Sequence, residues 1–156
     1  MKKYKCYAFL YSAVNDEVRS QFEKYTNCKH STGYANCYVA IPKEHPLYGM
    51  CYGMINIKIH GGLTFSGSFG SMKREIIRNP EKVEYLDGEF SNDCWVFGFD
   101  TMHYGDNPHN RSREWCIMEV TRLKEILENW LEITARRESL LKSWEMVVTH
   151  PTSERS

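Results

Sequence analysis

Hydrophobic and polar positions alternate along this chain in blocks that change period, and the blocks predict its elements. Residues 4–12 are dense in aromatic and apolar side chains and predict a first strand. Asn15 and Asp16 can cap a short helix carrying Val18, Phe22 and Tyr25. Residues 37–41 form a short apolar run, a strand stopped by Pro42. The loop 42–49 is rigid, because two prolines fix φ and restrict the residues before them. In 54–60, Ile55, Ile57 and Ile59 alternate with Asn56, Lys58 and His60, the period-two signature of a half-buried strand. Gly61 and Gly62 then turn the chain into 63–66, which predicts a hairpin. Residues 67–70 read as loop and 71–78 as a brief helical turn.

In 94–100, Trp95, Phe97 and Phe99 point one way, and Cys94, Val96, Gly98 and Asp100 the other, so this block predicts another strand. Residues 101–111 are polar and contain Gly, Asn and Pro, which predicts a loop. Ser112 with Glu114 then opens a long helix whose apolar positions are Cys116, Val120, Leu123, Leu127, Trp130 and Leu131, with the pattern running to about Trp144. The sum is an α+β fold: a mostly antiparallel sheet with a long C-terminal helix packed on one face, in a single domain over 1–148 with a flexible tail at 149–156. The isoleucines of the sheet and the apolar stripe of the helix are natural partners. Each large aliphatic side chain they bury contributes about 1.5–3 kcal/mol.

Composition narrows the function classes. Twenty basic and twenty acidic residues cancel, so no global field steers the chain onto duplex nucleic acid or an anionic membrane. No run of residues is long and apolar enough to span a bilayer. The six cysteines, at 6, 28, 37, 51, 94 and 116, include no Cys-x-x-Cys pair. With no secretory signal at the N-terminus, reduced and mostly buried thiols in the cytoplasm of a bacterial host are expected. Aromatic residues reach 13%, enough to place some rings at the surface, as core cover or as a stacking platform.

Two segments carry candidate chemistry. In His60-Gly61-Gly62-Leu63-Thr64-Phe65-Ser66, adjacent glycines allow positive φ and close approach, exposed amides can form an anion-binding nest, and Thr64 and Ser66 add hydroxyls. The same residues also suit a plain hairpin turn. In Trp95 to Asp106, Asp100 ends a strand and His103, Tyr104 and Asp106 follow on the loop, with Gly98 leaving space on the Asp100 face. These carboxylates can bind a ligand or merely hold loop amides. His60, Asp100, His103 and Asp106 are also the right types for a zinc, manganese or iron site, although no metal-binding helix spacing such as His-Glu-x-x-His occurs. His45, in the proline loop, is a further hydrogen-bonding candidate. On the long helix, Arg122, Lys124, Glu125 and Glu128 read as a solvated face.

Three ordered motifs, His-Pro-Leu-Tyr-Gly at 45–49, His-Gly-Gly-Leu-Thr-Phe-Ser at 60–66 and Phe-Gly-Phe-Asp-x-x-His-x-Gly-Asp at 97–106, together resemble a family of small uncharacterised proteins of bacteriophages and bacteria. The resemblance spans roughly 34–130. It implies no activity, but points to His45, Pro46, Gly49, His60, Gly61, Gly62, Thr64, Asp100, His103, Gly105 and Asp106. Thr101, Met102 and Tyr104 depart from the pattern and bear on ligand fit.

Three functions follow as expectations. One is a small-molecule binder that sequesters a nucleotide-derived host immune signal, its base stacked on Tyr or Trp and its phosphate met by residues 61–68, aided by Lys73 and Arg74. The second is a metal-dependent hydrolase of a phosphorylated or nucleotide-like substrate. The third is an inhibitor that blocks a host enzyme through a surface patch. An exposed strand edge would also suit a homo-oligomer. No cofactor is spelled out.

Overall fold

The computed structural model describes residues 4–12 and 32–130. Five strands, β1 (Tyr7–Tyr11), β2 (Asn36–Ile41), β3 (Phe65–Ser68), β4 (Val83–Tyr85) and β5 (Trp95–Phe99), form one antiparallel sheet in the order β3-β5-β2-β1-β4. The expected α+β architecture is present, with helix α2 (Arg113–Glu128) against the sheet.

Helix α2 begins where Ser112 caps it, the hydroxyl accepting the Trp115 N–H at 3.2 Å. It buries Cys116, Val120, Leu123 and Leu127 against Ala8, Leu10, Cys37, Val39, Ile41, Phe97 and Phe99. The other face of the sheet is covered too. Helix α1 (Phe69–Arg78) buries Phe69 and Ile76 in a second core with Phe9, Tyr11, Ala40, Cys94 and Val96. Strands β2 and β5 are therefore buried on both faces, which explains their nearly continuous apolar runs.

Three expectations need correction. Residues 54–60 are not a strand: a 3-10 turn at Tyr52–Met54 is followed by irregular chain that has no ladder partner among the described residues, and His60 enters a turn. The isoleucine alternation is real, with Ile57 and Ile59 buried and Lys58 exposed, but it comes from an irregular segment lying on the core rather than one paired in the sheet. The hairpin accordingly does not form, and β3 pairs with β5. Residues 67–70 are not a loop: Gly67 and Ser68 finish β3, and the helix starts at Phe69. The brief turn at 71–78 is the rest of this ten-residue helix, capped by Ser68. Strand β4, three half-buried residues on the sheet edge, carries too short a pattern to read. The early helix at 15–25, the run beyond Trp130 and the tail lie outside the described residues. Among those described, no helix is long and apolar enough to cross a membrane.

Candidate metal centre

The loop after β5 is pinned before it reaches its polar residues. Thr101 is fully buried; its hydroxyl donates to the Ala35 carbonyl at 2.8 Å and its carbonyl accepts the Gly33 N–H at 2.8 Å. Asp100 accepts the Met102 N–H at 3.0 Å, and Asp106 accepts the His103 N–H at 3.0 Å, so both carboxylates fold their own loop. Asp106 does more. It is buried, and it also takes contacts from His60 Nε2 at 3.0 and 3.1 Å, His103 Nδ1 at 3.3 Å and Arg111 Nε at 2.9 Å. Burial pushes its carboxyl upward, but the bonds from His60, the His103 amide and Arg111 outweigh that and hold it below the usual carboxylate range.

His60 reaches this point from the other motif. The turn after Ile59 closes with the Gly62 N–H on the Ile59 carbonyl at 2.8 Å, and Gly61 takes φ +68°. Gly61 does a second thing: the His103 ring packs directly on it, so that an added Cβ would lie 2.1 Å from Nε2. The His60 ring stands edge-on to His103 and to Trp115, each centroid 4.9 Å away, and the Arg111 guanidinium lies 4.5 Å over Trp115.

Two histidines and one carboxylate therefore bring possible ligand atoms close together. One ligand atom each from His60, His103 and Asp106 lies within 4.8 Å of the others. The 3.0 and 3.3 Å separations to Asp106 Oδ2 approach the roughly 3.3 Å edge of a tetrahedron built from 2.0–2.1 Å metal–ligand bonds. Side-chain exposures of 17% for His60 and 33% for His103, against 2% for Asp106, leave one side of the cluster open to solvent.

Comparison with known proteins gives no match to any family model, curated protein or solved structure. What the centre can do is read from its own atoms.

The other candidates are placed as follows. Asp100 stays at the margin, 3.4 Å from His103 Nδ1 and outside the converging set. Tyr104, at 92% exposure, and the half-exposed Met102 form the outer lip of the same loop. Gly62 takes positive φ with open space around it. The Thr64 backbone N–H donates to the Gly98 carbonyl at 2.9 Å, and the Ser66 hydroxyl accepts the Tyr52 N–H at 2.9 Å. Lys73 lies on α1, across the sheet, bonded to Asn92. The space expected at Gly98 is filled by the Tyr38 ring.

His45 is a correction. It is 3% exposed, its Nε2 bonds the Leu127 carbonyl at 2.7 Å, and its Nδ1 accepts the Leu47 N–H at 3.1 Å. Both ring nitrogens are spent on backbone, so it has nothing left for a ligand. A cavity of about 530 Å³, lined by Tyr4, Lys5, Tyr7, Lys43 and Asp93 among others, opens at the end of the sheet where β1 and β5 begin. The His60–His103–Asp106 cluster sits at the other end, beyond the close of β5, and shares no lining residue with the cavity.

Sequence reasoning missed Arg111, Trp115 and Glu119; Arg122 is exposed, as the solvated-face reading expected, whereas Glu128 is buried, its Oε2 accepting the Cys6 N–H at 3.0 Å. Glu119 Oε2 accepts the His60 N–H at 3.0 Å, and Arg122 bonds both Glu119 and the Lys58 carbonyl. Arg122 beside Glu119 depresses the Glu119 carboxyl; burial opposes this, and the His60 N–H adds to it. The available signal was spacing, because 115, 119 and 122 fall on one helical face.

Proposed function

We propose that the His60–His103–Asp106 cluster binds a divalent transition metal, and that the protein uses it to hydrolyse a phosphorylated, nucleotide-like small molecule. The observation that carries this is the convergence of two imidazole nitrogens and a carboxylate oxygen within 4.8 Å on a half-open surface. Two histidines and one carboxylate suit zinc, iron or manganese, and three protein ligands leave a coordination position for water or substrate.

The protein's part is specific. Asp106 carries the negative charge, and Arg111 on Oδ1 leaves Oδ2 facing the imidazoles. A metal bound through His60 Nε2 would take the place of that nitrogen's contact with the Asp106 carboxylate. A metal held by His60, His103 and Asp106 would supply Lewis-acid activation of a water for attack on a phosphoester. Tyr104 and Met102 are positioned to meet a planar group on the same molecule.

Exposure of Tyr104 and Met102 also favours a second reading, retention of the ligand intact. These two side chains supply contact area and no chemistry.

One experiment separates the readings. The purified chain is analysed for bound metal, titrated with Zn²⁺ and Mn²⁺, then incubated with phosphoesters and cyclic nucleotides. Micromolar or tighter metal binding with turnover supports hydrolysis. Metal-dependent binding with the nucleotide recovered unchanged supports retention. No metal uptake by the wild type removes both.

A further inference from the structure

The segment 55–60 raises a question of hydrogen bonding. Its residues alternate between buried and exposed and His60 enters a turn, yet among the described residues it pairs with no strand, so its backbone groups need partners from elsewhere. Helix α2 supplies them around His60. Glu119 Oε2 accepts the His60 N–H at 3.0 Å. Arg122 Nη1 donates to the Lys58 carbonyl at 2.9 Å. The same guanidinium grips Glu119 with its two remaining nitrogens, Nε to Oε1 at 2.8 Å and Nη2 to Oε2 at 3.0 Å. One planar fork thus spans a carboxylate and a carbonyl with three separate nitrogens, a bidentate geometry that the single nitrogen of a lysine does not reproduce. One turn earlier, Trp115 meets the His60 ring edge-on at 4.9 Å. Residues 115, 119 and 122 occupy one face of α2 at i, i+4 and i+7, so a single helical track grips the His60 ring, the His60 amide and the Lys58 carbonyl.

We infer that Glu119, held by Arg122, is a positioning residue for the metal centre: it touches no metal and sets His60 through its backbone amide. This rests on the metal reading above. The physical basis is that a ligand in a segment without ladder hydrogen bonds keeps its place only as well as its side-chain anchors do. The bond from Glu119 is charge-assisted and lies at the ligand residue itself. Partners of this kind around metal sites typically change affinity by about 10–100-fold when removed.

The test titrates the full chain with Zn²⁺ alone, comparing wild type with Glu119→Ala, Glu119→Gln and Arg122→Lys, and follows melting temperature alongside. Arg113→Ala serves as a control on the same helix, since it breaks only the exposed pair with Glu84. Zinc affinity is expected to fall about 10–100-fold in Glu119→Ala. Glu119→Gln, which keeps an acceptor for the His60 N–H, should recover most of the loss, Arg122→Lys should lie between, and Arg113→Ala should match wild type. Hydrogen exchange at the His60 amide should accelerate in Glu119→Ala and not in the control. Undiminished zinc affinity in Glu119→Ala overturns this inference alone. So does a loss that Glu119→Gln fails to restore and that follows the drop in melting temperature across all variants. A wild type that takes up no zinc overturns the metal reading and this inference together.

Discussion

His45 and His60 each sit in a turn built by residues that restrict or free the backbone, and each belongs to a motif that invites a functional reading. Their surroundings differ. Around His45, the turns closed by Pro42, His45 and Leu47 carry the ring into the core, where the Leu127 carbonyl and the Leu47 N–H take both nitrogens. Around His60, the Gly61 turn leaves the ring partly exposed beside a buried carboxylate and a second imidazole. A histidine whose partners are backbone atoms joins two elements. One whose partners are a carboxylate and a second imidazole stands among groups that can themselves ligate a metal.

The contrast can be broken experimentally. The largest effect is expected from His60→Ala or His103→Ala: metal affinity should drop by more than the roughly 100-fold upper end seen for outer-shell partners, with little change in melting temperature. Calorimetric titration and thermal melts check this, and a melting loss comparable to that of His45→Ala would erase the distinction. His45→Ala should do the reverse, costing about 2–4 kcal/mol of stability by opening a core cavity and orphaning two backbone groups, while metal affinity holds. Chemical denaturation measures it. Gly61→Ala should weaken metal binding by about 10-fold or more, because the added methyl at positive φ displaces His103, a partner the centre needs in place.

The smallest effect is a pH slope. Burial drives the His45 pKa below its ordinary 6.5, only partly offset by the Leu127 carbonyl. Above pH 6.5 the ring is neutral folded or unfolded and contributes no slope. As pH falls below that value the unfolded chain takes up the proton first, so stability declines until the folded pKa is passed. Denaturation curves from pH 7.5 down to about 5 should show this in wild type and lose it in His45→Gln, with the carboxylates titrating lower still.

Much of the frame could be read from the chain. The apolar stripe at Cys116, Val120, Leu123 and Leu127 and the apolar run through Trp95–Phe99 identified the elements that meet in the core, the stripe because one helix face is buried and the run because both faces of β5 are. The isoleucine run at 55–59 misled for a physical reason: a chain laid along a core can alternate whether or not it has a hydrogen-bonded neighbour. Helix α1 was harder, since only Phe69 and Ile76 are buried, too sparse a pattern to show a period. At the site, His60, His103 and Asp106 were named from residue type and position at strand ends. Their meeting depends on α2 holding the 55–60 segment in place, which no local pattern encodes. His45 was misread because its motif has the appearance of a surface turn, while its depth is set by Leu127, eighty-two residues away in sequence.

The chain entering β2 ties the two ends of the 101–111 loop together. The Gly33 N–H bonds Thr101, the Tyr34 N–H bonds the Arg111 carbonyl at 2.8 Å, and a side chain at Gly33 would collide with both loop ends. The loop is thereby drawn shut at its neck, and its tip is mechanically insulated from the sheet. Positions such as Met102 and Tyr104 can then change identity without the neck moving. That makes the tip the natural place for selectivity to diverge, or to be rebuilt by design, on an unchanged scaffold.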